Sequence, residues 1–310
     1  MKKTLIIVGS SGFFGKSLLS FLENKKDIQK KIGKIYLINR GKSKNIISKK
    51  LKKKINFVFI KKNLIKLKKI PNVDYIIYCA LLKDLDNDVS ALRNFSKILL
   101  NNKKKCTIVY TSSGAIYGQK LNKSISTKER EISQFKKDFY SREKGKYAHS
   151  KIKNEKILKE LSKKGFKVRI ARCFTFVGKY LPQNKNFLIG RIINTIINKE
   201  KKTYKFENII YRSYLHSDRL SYFLFKLLFL KKNNFEIFNI GSDDSLDFRE
   251  IIRYLSKKFS FEINFQLLNS LKKKDIYIPN ISKLRKQFNF FKKLSSKNAI
   301  TKTINELKKI

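Results

Sequence analysis

The sequence predicts an α/β protein that is built on a doubly wound parallel sheet and has a smaller, mainly helical C-terminal portion. Short apolar runs alternate with helical stretches from the first residue to about Gly241, which is the pattern of strand–helix–strand units. The runs are nearly continuous, as expected for strands that are buried on both faces. After Gly241 the sequence changes to amphipathic stretches with charged interruptions. No linker rich in Gly, Ser or Pro separates the two portions, so we expect them to be interleaved.

The apolar runs predict seven strands, at residues 4–8, 34–38, 56–60, 74–80, 106–112, 167–174 and 235–240. The stretches between and beside them predict helices over residues 13–23, 89–101, 140–163, 187–199 and 219–230. Helices between strands fit a parallel sheet, because parallel neighbours need a long crossover connection. We expect a first domain over residues 1–166 and a second over residues 167–310, which would hold the last strands of the sheet and the C-terminal portion.

The chain carries a net charge of +50, from 73 Lys and Arg against 23 Asp and Glu. Such a charge is typical of proteins that bind nucleic acid. The lysines are scattered through every segment, however, and they accompany heavy use of Ile, Asn, Phe and Tyr, a mixture typical of an A+T-rich coding sequence. We interpret the charge as a solvated surface that attracts acidic substrates, without a specific nucleic-acid partner. An inactive scaffold that binds RNA or a protein is the alternative, and the charge is its only support.

The cysteines and apolar segments bear on the compartment. Cys79, Cys106 and Cys173 are too few for a disulfide framework or a metal site, which suggests a reducing environment. The apolar run at the start of the chain is about five residues long, shorter than the roughly 7 of a signal peptide. The run at 222–230 is too short to span a bilayer and contains Lys226. We expect a soluble, cytoplasmic protein without membrane insertion.

A glycine-rich loop follows the first predicted strand and opens the first helix. Gly9, Gly12 and Gly15 recur there at three-residue spacing. Such a loop makes a tight turn, brings its backbone close to a pyrophosphate and directs a helix N-terminus at the negative charge. The loop therefore predicts a dinucleotide site. The second strand ends in Asn39 and Arg40 without a carboxylate, which favours NADP over NAD.

Tyr147 and Lys151 lie four residues apart in a predicted helix, so they share one helix face. An ammonium beside a phenol stabilises the phenolate form and makes tyrosine a usable acid or base. Ser113, at the end of the fifth strand, offers a hydroxyl that could polarise a substrate carbonyl. Tyrosine and lysine are both abundant in this chain, so the pair alone would be an ordinary surface pair. The three residues together with the glycine loop favour an active site.

Five segments resemble the extended branch of the short-chain dehydrogenase/reductases, the NAD-dependent epimerase/dehydratase family that acts on nucleotide sugars. They are YAHSKIKNEKIL (147–158), SSGAIYG (112–118), RCFTFVG (172–178), YRSYLHSDRL (211–220) and FNIGSDDSLDFREI (238–251). The resemblance covers about residues 3–255. It implies a Rossmann-type dinucleotide-binding domain over 1–166, a C-terminal portion that binds substrate, and a nucleoside-diphosphate hexose as substrate. It also implies a homodimer formed through a helix bundle, for which the helices at 89–101 and 140–163 are the candidates.

The resemblance further implies roles for single residues. Tyr147 would be the acid/base, Lys151 would stabilise its phenolate form and hold the nicotinamide ribose, and Ser113 would bind the reacting oxygen. Arg212 would bind the diphosphate of the substrate. The implied cofactor-binding residues are Gly9, Gly12, Phe13, Phe14, Gly15, Asn39, Arg40, Asn63, Leu64, Cys79, Ala80, Leu81, Tyr147 and Lys151. The implied substrate-binding residues are Lys83, Ser113, Thr175, Asn186, Phe187 and Arg212.

Departures from the family pattern narrow the expected reaction. Gly114 and Ala115 stand where the 4,6-dehydratases have an Asp-Glu pair, and dehydration needs that separate acid and base. Thr175 stands where many members have asparagine. The favoured reaction is the reduction of a 4-keto-6-deoxyhexose nucleotide, dTDP-linked, in surface-polysaccharide biosynthesis, with NADP as the favoured cofactor. The alternative is a 4-epimerase that holds NAD tightly, and both reactions use the same three residues.

Neither histidine is expected to bind a metal ion. His149 lies two residues after Tyr147, so its side chain should point to a different helix face. His216 falls where relatives also carry histidine, most often in structural hydrogen bonds. Neither histidine shows ligand spacing to another histidine, a cysteine or a carboxylate.

Overall fold

The computed structural model describes residues 1–40, 47–102, 104–118, 120–121, 128–129, 143–182, 187–268 and 274–309. The chain divides into two compact units. The first comprises Met1–Gly118, Ile132–Cys173 and Ser221–Phe238, and the second comprises Gln119–Glu131, Phe174–Leu220 and Asn239–Ile310. The chain passes between the units more than once, and the domain boundary expected after residue 166 stays a prediction.

The described elements are named in chain order. The strands are β1 (Lys3–Val8), β2 (Ile32–Asn39), β3 (Asn56–Lys61), β4 (Tyr75–Tyr78), β5 (Thr107–Ser113), β6 (Lys120–Leu121), β7 (Lys167–Cys173), β8 (Phe176–Val177), β9 (Thr203–Phe206), β10 (Ile209–Arg212), β11 (Leu215–His216), β12 (Phe235–Ile240), β13 (Leu246–Asp247), β14 (Asn264–Leu267) and β15 (Lys274–Tyr277). The helices are α1 (Phe13–Glu23), α2 (Lys26–Lys31), α3 (Lys49–Lys52), α4 (Leu85–Leu100), α5 (Glu143–Lys163), α6 (Leu188–Asn198), α7 (Ser217–Leu228), α8 (Phe248–Phe259), α9 (Ser282–Phe288) and α10 (Ser296–Leu307). A 3₁₀ turn, Gly114–Tyr117, follows β5.

The first unit is organised by a seven-stranded sheet with the order β12-β7-β5-β4-β1-β2-β3. The pairs from β7 to β3 run parallel, for example with Leu5 opposite Tyr75 and Ile76 opposite Ile108, and the β1–β2 pair has a register shift between Lys3 and Thr4. Strands β1, β4, β5 and β7 are nearly continuous apolar runs because they are buried on both faces. Ile6, Ile76 and Ile108 are almost completely buried in its core. The predicted doubly wound parallel sheet is confirmed.

Most predicted elements lie within a few residues of the observed ones. Helix α4 differs most at its start: it begins at Leu85, whereas the apolar periodicity predicts a start at residue 89. The side chain of Asp84 caps the helix by accepting a hydrogen bond from Asn87 N at 2.8 Å. Acidic residues in the first turn favour this early start because they complement the helix dipole. The same polar residues interrupt the apolar pattern from which the helix was predicted.

Strand order positions the site. Strands β2 and β3 lie on one side of β1 in the sheet. The chain then crosses to the other side of β1, where β4, β5, β7 and β12 follow in order. In such sheets the carboxyl ends of the strands beside the crossover form a crevice for ligands. The loops that follow β1, β4 and β5 therefore meet at one edge of the sheet, and they carry most of the predicted cofactor residues.

The second unit combines helices with short strands. It contains a four-stranded sheet with the order β13-β10-β15-β6 and two strand pairs, β11 with β8 and β14 with β9. Helix α8 begins with a capping box in which Asp247 and Glu250 bond reciprocally to backbone amides, an arrangement that satisfies two amides at a helix N-terminus. In this unit α10 packs against β11 and α8.

Candidate active site

The glycine loop after β1 has the close packing that a dinucleotide cradle needs. Gly9 has φ +85°, and a Cβ added there would lie 2.6 Å from Ala80 N, so a side chain is excluded at this position. A Cβ on Gly15 would collide with the carbonyl oxygen of Gly9. A Cβ on Gly12 would lie 3.5 Å from that oxygen, which is an ordinary contact. The loop thus requires glycine at two of its three positions.

Helix α1 begins directly after this loop. Gly12 is its N-cap residue and offers no side chain to the first amides of the helix. Phe13 and Phe14 open the first turn, with ring centroids 5.5 Å apart. An uncapped helix N-terminus beside a tight glycine turn is suited to a pyrophosphate. The residues present fit the pyrophosphate of a nicotinamide dinucleotide.

The end of β2 meets the glycine loop. The buried amide of Asn39 donates a hydrogen bond to Ser10 Oγ at 2.8 Å, so this side chain ties the loop to β2. Arg40 is exposed at the strand end, where its guanidinium is available to solvent. Of the two predicted residues, Arg40 is the one in a position to meet a charged group, and the contact of either with cofactor stays a prediction.

The loops after β3 and β4 differ in exposure. Asn63 is exposed and accepts a hydrogen bond from Ile65 N at 3.0 Å, whereas the side chain of Leu64 is buried in the core. The thiol of Cys79 donates to Val8 O at 3.1 Å, and burial raises its pKa to about 12, so it is a neutral packing group. Ala80 lies directly against Gly9.

Leu81 and Lys83 are exposed in the loop after β4. Their contacts with cofactor and substrate stay predictions.

Tyr147 and Lys151 lie on one face of α5, as their spacing predicts. Lys151 is 2% exposed, and its Nζ is 5.7 Å from the centre of the Tyr147 ring, which is half-buried. Lys151 Nζ donates to Tyr110 OH at 3.0 Å and is 3.6 Å from Asp88 Oδ2. Burial lowers the pKa of Lys151, but Tyr110, Tyr147 and Asp88 raise it, and the net shift is upward. The lysine is therefore an ammonium held beside Tyr147.

Ser113 ends β5 at the same edge of the sheet. It is buried, and its Oγ accepts a hydrogen bond from Ala115 N at 3.1 Å. The hydroxyl proton can then be donated to an oxygen in front of the strand end. Helix α5 packs against the 3₁₀ turn that follows Ser113. The structure thus holds Ser113, Tyr147 and Lys151 on adjoining elements of the first unit.

A buried ion pair supports these elements, and the sequence reasoning missed it. Arg172 on β7 bonds to both oxygens of Glu155, through Nε at 3.1 Å and Nη2 at 2.7 Å. Ser112 Oγ donates to Glu155 Oε1 at 2.6 Å, and Arg172 Nη1 donates to Tyr117 OH at 2.9 Å. The sequence contains one indication of this pair: Glu155 lies four residues after Lys151, so it falls on the same face of α5 as Tyr147 and Lys151.

The second unit contains the remaining predicted substrate residues. Arg212 Nη2 is paired with Asp275 Oδ2 at 2.9 Å, Nη1 donates to Asp275 O at 2.9 Å, and the guanidinium lies 5.8 Å from the centre of the Tyr277 ring. The hydroxyl of Thr175 donates to Ser213 O. Phe187 is exposed before α6.

Asn186 lies outside the described residues, so its predicted contact with substrate stays a prediction.

The two histidines have different surroundings. His149 is exposed on α5. His216 is buried, with Nε2 3.1 Å from Glu306 Oε2 and Nδ1 3.5 Å from Asp218 Oδ2. Sequence spacing does not predict the pairing of His216 with Glu306, because it arises only when folding brings α10 to β11. We call His216, Asp218, Glu306 and Lys302 the His216 cluster.

The three acidic and imidazole groups of the His216 cluster could approach one cation. Lys302 already supplies a positive charge there, since its ammonium bonds to Asp218 and lies 3.7 Å from Glu306 Oε1. We therefore interpret the cluster as an ion-pair network.

Over the described parts of the chain, no helix is both long enough and apolar enough to cross a membrane.

The sequence of the chain matches a known protein family. The model of the NAD dependent epimerase/dehydratase family matches residues 5–241. A UDP-glucose 4-epimerase of Mycoplasma genitalium is 26% identical, over 93% of this chain and 92% of its own.

The solved structures that share the fold include the following two. A UDP-N-acetylglucosamine 4-epimerase of Methanobrevibacter ruminantium, in complex with UDP-N-acetylmuramic acid, has a TM-score of 0.77 and 18% identity, over 99% of this chain and 98% of that chain. A dTDP-glucose 4,6-dehydratase of Bacillus anthracis, in complex with NAD, has a TM-score of 0.77 and 16% identity, over 99% and 97%. With a family match over most of its length, the chain belongs to the NAD-dependent epimerase/dehydratase family.

Proposed function

We propose that the protein epimerises a nucleoside-diphosphate hexose at C4. The observation that carries the proposal is the buried ammonium of Lys151 beside Tyr147, on a helix that packs against the turn after Ser113. This arrangement provides an acid/base, a charge that stabilises its ionised form and a hydroxyl for the reacting oxygen. The likeness to a UDP-glucose 4-epimerase over 93% of the chain supports epimerisation and a UDP-linked substrate.

The first unit supplies the groups that would hold a nicotinamide dinucleotide. The loop from Gly9 to Gly15 and the N-terminus of α1 would bind the pyrophosphate, and Lys151 would bind the nicotinamide ribose. When bound, the cofactor accepts and returns the hydride, which none of the protein's side chains can do. The buried Asn39–Ser10 hydrogen bond keeps the loop in its binding shape.

The protein's own residues manage the proton. With the cofactor bound as hydride acceptor, Tyr147 would take the proton of the sugar 4-hydroxyl as C4 becomes a ketone. Ser113 donates a hydrogen bond to the same oxygen, and Lys151 stabilises the phenolate. When the ketone is reduced on its other face, Tyr147 would return the proton to the oxygen. The protein ends in its starting protonation state, and no water is consumed.

Reduction of a 4-keto-6-deoxyhexose nucleotide by NADPH is the second candidate. The exposed Arg40 at the end of β2 favours it, because a basic residue at this place accommodates the extra phosphate of NADP. Tyr147 would then donate a proton to the ketone oxygen and be reprotonated from solvent. Gly114 and Ala115 in the turn after Ser113 do not support dehydration, because neither can act as an acid or base.

The test begins with the cofactor carried by the purified protein. Denaturation followed by mass spectrometry should release NAD in an amount close to one per chain. The protein should convert UDP-glucose to UDP-galactose without added cofactor, as followed by proton NMR. Tyr147→Phe should abolish the conversion, whereas Tyr36→Phe, a matched change on β2, should leave it intact. A protein that is isolated empty and oxidises NADPH with a dTDP-4-keto-6-deoxyhexose would replace epimerisation by the second candidate.

We also propose that two copies associate through α4 and α5. These helices pack against each other along the first unit, and the family resemblance implies a helix bundle at this place. Light scattering coupled to size-exclusion chromatography should give twice the mass of 36.6 kDa. A single-chain mass over the working concentration range would contradict the proposal.

A further inference from the structure

Lysines occur throughout the chain, but one stretch concentrates them. Asp27 and Asp74 are consecutive acidic residues, so the sequence between them has no carboxylate side chain. From Lys49 to Lys69, ten of the 21 residues are lysine and none is arginine. All ten lysines are exposed. We call them the lysine edge: Lys49, Lys50, Lys52, Lys53, Lys54, Lys61, Lys62, Lys66, Lys68 and Lys69.

The lysine edge surrounds the last strand of the seven-stranded sheet. In the sheet order β3 stands at the end, next to β2. Helix α3 and the turn after it bring Lys53 and Lys54 to the amino end of β3, and Lys61 and Lys62 lie at its carboxyl end. A strand of this length separates the two groups by about 20 Å. The open side of the sheet therefore carries lysines at both ends.

The segment that follows β3 is fixed to the core with its lysines outward. Every third side chain, at Leu64, Leu67 and Ile70, is buried in the core. Asn94 on α4 holds the backbone of this segment, since its Nδ2 donates to Leu64 O at 3.0 Å and to Leu67 O at 2.9 Å. The exposed positions between the buried ones hold three members of the lysine edge: Lys66, Lys68 and Lys69.

Helix α3 and this segment lie on opposite faces of the sheet. Helix α3 packs against α1, whereas the segment is bonded to α4. The strands that follow α1 and α4 extend the sheet in opposite directions from β1, and right-handed crossovers then place the two helices on opposite faces. The lysine edge therefore wraps around β3 from one face of the sheet to the other.

The charges of the lysine edge are not neutralised within the described part of the chain. None of the ten ammonium groups forms an ion pair there, whereas Lys3 and Lys104 both pair with Asp74, at 3.4 and 2.8 Å. Like charges held on one side of a protein repel one another and create a strong positive potential. A dense negative surface would relieve this repulsion.

Two features favour a bilayer with anionic lipids over nucleic acid as that surface. The lysine edge contains no arginine, although the guanidinium fork is the group best suited to the phosphates and bases of nucleic acids. Phe59 and Ile65, which lie among these lysines, are 41% and 37% exposed. Large apolar side chains beside lysines can enter the headgroup region of a bilayer while the ammonium groups stay at the anionic surface.

We propose that the lysine edge docks the protein, as a peripheral protein, on the surface of a bilayer that contains anionic lipids. At physiological ionic strength a charge acts over about 8 Å, so the lysines must come close to the lipid headgroups. Each lysine that does so strengthens binding about fivefold. The inference is independent of the reaction that the protein catalyses, because none of the ten lysines belongs to the predicted site.

The experiment is cosedimentation of the whole chain with lipid vesicles at about 0.15 M salt. The protein should pellet with vesicles of equal parts phosphatidylcholine and phosphatidylglycerol, and it should stay in solution with phosphatidylcholine alone. One variant replaces four lysines of the lysine edge: Lys53→Gln, Lys54→Gln, Lys68→Gln and Lys69→Gln. Its affinity for the anionic vesicles should fall about a hundredfold.

The matched control removes the same charge from exposed positions of the second unit. It combines four changes: Lys201→Gln, Lys202→Gln, Lys257→Gln and Lys258→Gln. This variant should keep most of the affinity for anionic vesicles. Equal losses in the two variants would show that the net charge of the whole chain holds it on the bilayer, and would overturn the proposal.

Measurements on the unaltered protein test the proposal without any variant. Its affinity for anionic vesicles should fall steeply as salt is raised, because screening weakens each lysine contact. Absence of pelleting with anionic vesicles, or pelleting that salt does not affect, would overturn the proposal. Poly(U) RNA at the same phosphate concentration as the anionic lipid should leave the protein on the vesicles. Displacement by the RNA would make nucleic acid the preferred partner and would also overturn the proposal.

Discussion

The buried pair of Arg172 and Glu155 should be the most sensitive support of the first unit. Arg172 is fully buried, and the two side chains share two hydrogen bonds of 3.1 and 2.7 Å. Glu155→Gln keeps the shape of the side chain but removes its charge, so that the guanidinium remains in the interior without a counter-ion. Removing one partner of a buried pair costs about 3–5 kcal/mol. Since Gln can still accept one hydrogen bond, we expect a loss of about 3 kcal/mol in the free energy of unfolding.

The assay is urea unfolding followed by circular dichroism, and the chain offers a matched control. Glu160, on the same helix, pairs with Lys163 at 2.8 Å, but both side chains are more than half exposed. Exposed pairs of this kind contribute about 0.5 kcal/mol or less, so Glu160→Gln should be nearly neutral. The double variant Glu155→Leu/Arg172→Met should be more stable than Glu155→Gln, because it leaves no buried charge. A loss below about 1 kcal/mol in Glu155→Gln would refute this account of the pair.

Three further changes test other parts of the structure. Burial lowers the pKa of His216, but hydrogen bonds to its two carboxylate partners raise it, and the net shift is upward. The contribution of His216 to stability should therefore be complete below about pH 6.5, its pKa in the unfolded chain, and be lost as pH rises through its higher pKa in the folded chain. His216→Gln should make the free energy of unfolding, measured by urea titration, depend less on pH. An unchanged pH dependence in this variant would contradict the prediction. Gly9→Ala should weaken NAD binding by about tenfold or more, because Gly9 has φ +85° and the new Cβ would lie 2.6 Å from Ala80 N. Gly12→Ala should weaken NAD binding less. Equal losses of NAD affinity in the two variants, measured by calorimetry, would refute the packing argument. Arg40→Ala should lower the affinity for NADPH relative to NADH in fluorescence titrations; an unchanged ratio would remove the support for NADP.

Features that depend on neighbours along the chain could be read from the sequence. The glycine loop needs only the seven consecutive residues from Gly9 to Gly15 after a strand, and the Tyr147–Lys151 pair needs only one turn of helix. The apolar runs identify the strands because both faces of the sheet are covered, and a parallel order follows from the helices between them. These local patterns predicted the fold class and the family, and the strand order and the family match confirm both predictions.

Tertiary structure decided which polar groups share the interior. Lys151 meets Tyr110 from 41 residues away, and His216 meets Glu306 from 90 residues away. No spacing rule connects such residues, since their approach depends on how whole helices pack against the sheet. The cost of burying a charge depends on the partner that this packing provides. The sequence by itself therefore determined the fold class and the local motifs, while the counter-ions and hydrogen bonds that set the chemistry of those motifs were decided by the folded chain.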